Sequence, residues 1–93
     1  MEDELHNLVK PTSRWAQDEA GKSLQWAGKY KNFEEALEAV NRIGAISEAH
    51  QHHPDIRFGW GYVQLRLTTH DAGGLTQKDF ELADALNSVL VSG

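Results

Sequence analysis

A chain of 93 residues, 40% hydrophobic and 25% charged, has room for one thin core and not for several domains. Its net charge of −5, with no run of Lys or Arg, excludes a protein that reads a nucleic-acid backbone through a basic patch. The lack of cysteine excludes disulfides and thiolate chemistry. The acidic start Met1-Glu2-Asp3-Glu4 is the reverse of a secretory leader, and no apolar run approaches membrane length. A cytoplasmic protein with no membrane or nucleic-acid partner is the expectation.

Residues 1–13 read as a loosely held arm. Leu5, Leu8 and Val9 could form one helical turn, which Pro11 would stop. The rest, residues 14–93, reads as a single domain. A short segment centred on Trp15 leads into the turn signal Asp18-Glu19-Ala20-Gly21. Leu24, Trp26, Gly28 and Tyr30 then alternate with Gln25, Ala27 and Lys29, the period of a half-buried strand. Asn32 is a good N-cap, with Glu35 at capping-box spacing. A helix is predicted from about Phe33 to His50, with Phe33, Ala36, Leu37, Val40, Ile43 and Ser47 at helical spacing and Gly44 as a sign of close packing. Pro54 cannot continue it.

Ile56, Phe58 and Trp60 alternate with polar residues and Gly, as do Val63, Leu65 and Leu67, so two antiparallel strands should turn near Gly59–Tyr62. A loop over 71–74 follows. Thr76 caps a last helix with Phe80, Ala83, Leu86 and Leu90 on one face. The order is β-β-α-β-β-α. The expected architecture is an α+β fold, a four-stranded antiparallel sheet with both helices on one face. Trp15, Trp26, Tyr30, Phe58, Trp60 and Tyr62 are expected in the core or in subunit contacts.

Three of the five histidines, His50, His52 and His53, fall within four residues, and His70 follows the last strand. Crowded imidazoles contribute nothing to the stability of a small domain, whereas imidazole can give and take protons near neutral pH. His52, His53 and His70 are therefore the candidates for a site. His6 and His50 read as ordinary surface or hydrogen-bonded residues. One reading of the three is zinc or iron binding, although their spacing matches no strong ligand motif. The other is general acid–base catalysis, in which one imidazole gives a proton and a second removes one. Glu48, four residues before His52, could orient that imidazole if the helix persists. Asp79 sits three residues after Thr76, where it could complete a capping box or support the site. Gly73 and Gly74 suggest backbone angles that other residues resist.

Taken together, Glu48-x-x-x-His52-His53-Pro54-Asp55 and Thr69-His70-Asp71-Ala72-Gly73-Gly74-Leu75-Thr76-x-x-Asp79 resemble the pterin-4a-carbinolamine dehydratase family, also called 4a-hydroxytetrahydrobiopterin dehydratase. The resemblance covers roughly residues 14 to 90, with Trp15 and Tyr30-Lys31-Asn32-Phe33 as weaker signals. It implies the same β-β-α-β-β-α fold, association as a homodimer or homotetramer, and no metal or organic cofactor. It also implies a hydro-lyase activity: dehydration of a 4a-hydroxytetrahydropterin to the quinonoid dihydropterin, in tetrahydropterin recycling. On this resemblance His52, His53, His70 and Asp79 are catalytic. Glu48, His52, His53, Pro54, Thr69, His70, Asp71 and Ala72 contact the pterin. Ala49, Gln51 and Lys78 depart from the residues usual in the family. A non-catalytic alternative is a dehydratase-like binding protein, either a transcription-factor dimerisation cofactor or a RuBisCO assembly factor.

Overall fold

The computed structural model describes residues 14–90; the expected arm over 1–13 lies outside the described residues. The elements in chain order are β1 (Ala16–Gln17), β2 (Leu24–Lys29), α1 (Phe33–His50), β3 (Asp55–Gly59), β4 (Tyr62–Leu67) and α2 (Gln77–Leu86). One four-stranded sheet has the order β1-β2-β4-β3, antiparallel throughout. Alternation along the strands decides its faces. Leu24, Trp26, Val63, Leu65 and Leu67 are buried, while Gln25, Gln64 and Arg66 between them are exposed. The buried set joins Ala36 and Ile43 of α1 and Phe80, Leu82, Ala83 and Leu86 of α2 in one core. Both helices therefore cover the same side, as the sequence predicts.

The β1–β2 turn is organised by Asp18. Its carboxylate accepts the Lys22 N–H (2.7 Å) and the Ser23 hydroxyl (3.0 Å), while Gly21 turns the chain at φ +66°. The Lys22 N–H, more than any other neighbour, holds the Asp18 carboxyl below its ordinary value. The hairpin's gain from this anion is present above the usual aspartate range and is lost as pH falls from there through the lowered value of the folded chain. The start of the described chain is fixed to the end of α2: Trp15 Nε1 donates to Asn87 Oδ1 (3.0 Å) and Arg14 to the Asn87 carbonyl (3.2 Å).

The bounds of α1 match the prediction, and Ala36, Ile43 and Ser47 of its predicted stripe are buried, but Phe33 and Leu37 are not. Asn32 caps it through the Glu35 N–H (2.8 Å). The residues it buries are Ala36, Ala39, Ile43 and Ser47, whereas Phe33 and Leu37 stay 46% and 40% exposed. Small side chains face the core and let the helix lie close to it. The larger ones flank the contact, with Phe33 against Phe58 of β3 at 5.6 Å between ring centroids. Leu82 of α2 is a further core residue that its assigned face missed.

Trp15 and Trp26 lie in the core, 6.5 Å apart, one of the two places expected for them. Trp60 is 73% exposed in the β3–β4 turn, beside Gly61 at φ +83°. Among the described residues no helix is long and apolar enough to cross a membrane.

Gly44 is not explained by close packing, because a Cβ built there meets nothing within 4 Å. Gly44→Ala is expected to stabilise the fold by up to about 1 kcal/mol, through reduced backbone entropy of the unfolded chain. Urea denaturation measures it; a loss of stability would show that the glycine has a contact role.

Candidate active site

The site begins where α1 ends. Gln51 adopts left-handed geometry (φ 52°), and it is the only non-glycine with positive φ among the described residues. Its N–H donates to the Glu48 carbonyl (3.1 Å), and the His52 N–H reaches back to the Ser47 carbonyl (3.2 Å). These two bonds make a Schellman termination, which satisfies carbonyls at the helix end and turns the chain sharply away. The next two side chains then find different partners, as successive residues of an extended chain point to opposite sides.

His52 turns inward. Its Nε2 lies 2.6 Å from Oδ1 of Asp79, and its side chain is only 13% exposed. Asp79, at 0% exposure, is the centre of the arrangement. Its other oxygen, Oδ2, accepts the Thr69 hydroxyl (2.7 Å) and the Thr76 N–H (2.9 Å). The Thr76 and Thr69 hydroxyls are 2.8 Å apart. Asp79 thus completes its half of the capping box at the start of α2 and holds an imidazole with the same carboxylate. The capping role read from the spacing and the contact to His52 are carried by the same side chain.

His53 turns outward and pairs through Nε2 with Glu48 Oε2, on the exposed side of the α1 terminus. This corrects the expectation that Glu48 orients His52. Helical i, i+4 spacing does not extend past His50, because Gln51 leaves the helix by its left-handed turn. His50 is the last, exposed residue of α1.

His70 opens a short 3-10 turn, His70–Ala72, whose three residues are exposed. Gly73 ends the turn at φ +72°, and a Thr69–Gly74 bridge closes the loop. Of the two glycines singled out in the sequence, only Gly73 has the angle that favours glycine. Thr69, immediately before His70, is bonded to Asp79, so the loop starts at the same carboxylate that holds His52. Pro54 is half-buried after the doublet, and Asp55 begins β3 on the uncovered sheet face, 3.8 Å from Arg66.

Chemically, the arrangement offers two imidazoles adjacent in sequence, each paired with a carboxylate, one shielded and one in solvent. Such pairs orient a ring and fix which nitrogen carries its proton. Among the described residues no group of three His, Cys, Asp or Glu side chains is placed to hold a metal ion. The structural use of the Thr69 and Thr76 hydroxyls had no signal in the sequence beyond the spacing of a helix cap. A separate, open hollow of about 770 Å³ lies on the uncovered face of the sheet, away from the histidines, with Arg14, Arg57 and Arg66 among its lining residues.

Residues 1–89 match the family model described as pterin 4 alpha carbinolamine dehydratase. A Cyanothece protein provisionally named pterin-4-alpha-carbinolamine dehydratase is 46% identical over 86 residues, covering 92% of this chain and 87% of its own. One of the same provisional name from Picosynechococcus is 52% identical over 66 residues, covering 71% and 72%. Among solved structures, a transcriptional coactivator/pterin dehydratase from Brucella melitensis superposes with a TM-score of 0.85 at 22% identity, over 96% of this chain and 95% of its own. A pterin dehydratase-like RuBisCO assembly factor of the alpha-carboxysome superposes with 0.68 at 18% identity, over 81% and 87%. At these identities the two structures establish a shared fold.

Asp79→Ala should destabilise the fold by about 2–4 kcal/mol, because it strands the Thr69 hydroxyl, the Thr76 N–H and the His52 ring together. Chemical denaturation checks this. A loss under about 0.5 kcal/mol, the range of ordinary surface changes, would mean the carboxylate is not the hub described.

Proposed function

This chain belongs to the pterin 4 alpha carbinolamine dehydratase family, and from that premise we propose that it dehydrates 4a-hydroxytetrahydrobiopterin to the quinonoid dihydropterin. The reaction removes water. The C4a–O bond breaks as an acid protonates the departing hydroxyl, and a base takes the N5 proton as the N5=C4a double bond forms. Two proton-transfer groups suffice. His52 and His53 share the acid and base roles, His70 binds and polarises the pterin, and Asp79 supports His52. Glu48, Pro54, Asp71 and Ala72, with the Thr69 segment, border the pterin. No metal or organic cofactor enters the reaction. The place of such an enzyme is the recycling of tetrahydropterin after aromatic hydroxylation.

The observation that carries this reading is the buried His52–Asp79 pair beside the Glu48–His53 pair. Neither is needed to fill the core, and together they supply two oriented imidazoles at one helix end. Single Ala substitutions at His52, His53 and His70 test it. At least two of the three should lower kcat by roughly 10²- to 10⁴-fold, the usual worth of a general acid or base. Near wild-type turnover in all three would end the proposal.

One observation favours a second reading. The uncovered sheet face gathers Arg14, Arg57 and Arg66 around a hollow in a chain whose net charge is −5. A surface of that kind suits a macromolecular partner, as in a transcription-factor cofactor or a RuBisCO assembly factor. A folded wild-type protein without dehydratase activity would favour it over the enzyme.

The same family membership supports a homodimer or homotetramer. β1 and β3 are open sheet edges; β3 carries exposed Ile56, and α1, whose Phe33 packs on Phe58 of β3, carries exposed Phe33 and Leu37. An edge with apolar flanks invites a second copy. Light scattering at micromolar concentration should find a species of at least twice the 10.4 kDa chain mass; a monomer alone would refute this.

A further inference from the structure

We propose that Thr69 acts as a positioning residue: with Thr76 it forms a directed hydroxyl chain that fixes Asp79 and leaves Nδ1 of His52 as the nitrogen that exchanges protons with the pterin. The inference rests on the dehydratase reading for its catalytic consequence, but not for its structural content.

The argument is a count of donors. Every polar group of Thr69 already has a partner within the fold. Its N–H donates to the Gly74 carbonyl (3.1 Å), and its own carbonyl accepts from Ala72 (3.0 Å) and Gly74 (3.3 Å). Its hydroxyl reaches both Asp79 Oδ2 (2.7 Å) and the Thr76 hydroxyl (2.8 Å). A hydroxyl has one proton to give. The Thr69 proton goes to Oδ2 of Asp79. The bond between the two threonines is then donated by Thr76. The chain therefore runs one way, from the Thr76 hydroxyl to the Thr69 hydroxyl to Oδ2 of Asp79.

With Oδ2 taken by Thr69 and by the Thr76 N–H, Oδ1 is the oxygen left for His52. That contact also needs a donor, which places the imidazole proton on Nε2. The neutral ring then carries its lone pair on Nδ1, the only nitrogen free to accept from N5 or, once protonated, to give to the departing hydroxyl. Bonds aligned in series strengthen one another in a water-poor setting. Asp79 is wholly buried, so nothing else competes for these positions. The hydroxyl chain carries no proton to the substrate; it sets the carboxylate, and the carboxylate sets the ring.

Long-range proton–nitrogen NMR of the histidine rings at about pH 8.5, where free imidazole is neutral, reads the tautomer directly. Wild-type His52 should show its proton on Nε2 alone. Thr69→Val, with Thr69→Ala in parallel should the larger side chain disturb folding, should bring the Nδ1-protonated form into view. It should also lower kcat by roughly 10- to 100-fold, the scale seen when the partner of a functional imidazole is removed, with KM little changed. Thr69→Ser should restore both the tautomer and the rate. A wild-type proton on Nδ1, an unchanged tautomer in the hydroxyl-less variants, or a raised KM at full kcat would overturn the proposal. If wild-type protein proves inactive, the dehydratase reading falls and the ring spectra alone decide this one.

Discussion

The structure depends on one buried carboxylate. A charge at zero exposure is costly unless every lone pair that matters finds a donor. Asp79 finds its donors on separate segments of chain: the imidazole just beyond α1, the hydroxyl just beyond β4, and the N-terminal N–H of its own helix. Breaking any of these contacts costs more than the bond itself, because the others then surround a poorly compensated anion. The fold and the candidate site are consequently not separable here. The contact that joins helix, strand end and second helix is also the one that aims His52.

Much of the fold was legible from local pattern. Alternation located β2, β3 and β4, and Asn32 with Pro54 bracketed α1 to the residue. These are short-range signals, and the chain obeys them. The stripe of α1 was legible only in part: Ala36, Ile43 and Ser47 are buried as their spacing suggests, but hydrophobicity favours Phe33 and Leu37 where close approach to the sheet favours Ala39. The partner of Glu48 was not legible. Helical spacing points to His52, but one left-handed residue at Gln51 hands the carboxylate to His53. His52 and Asp79 are 27 positions apart, and no periodicity links them. The histidines and Asp79 could be singled out by type and by family resemblance; their pairing required the fold.

A shared architecture does not decide between catalysis and binding, since function belongs to sites placed on a fold. The two solved structures it resembles are titled for different work, one as a coactivator/dehydratase and one as an assembly factor. In this chain the two possibilities occupy different surfaces. The imidazole–carboxylate pairs lie at the α1 terminus, and the arginine-lined hollow lies on the far face of the sheet. Neither surface has to be sacrificed to the other.

The histidine doublet looks like a repeated letter, yet its members live in different media. The His53–Glu48 pair stands in solvent, with side chains 58% and 77% exposed, and dissolved ions can screen it; the His52–Asp79 pair is largely shielded from them. Ionic strength therefore addresses one imidazole of the doublet and passes over its neighbour, giving two adjacent residues with separate sensitivities to the composition of the surrounding fluid.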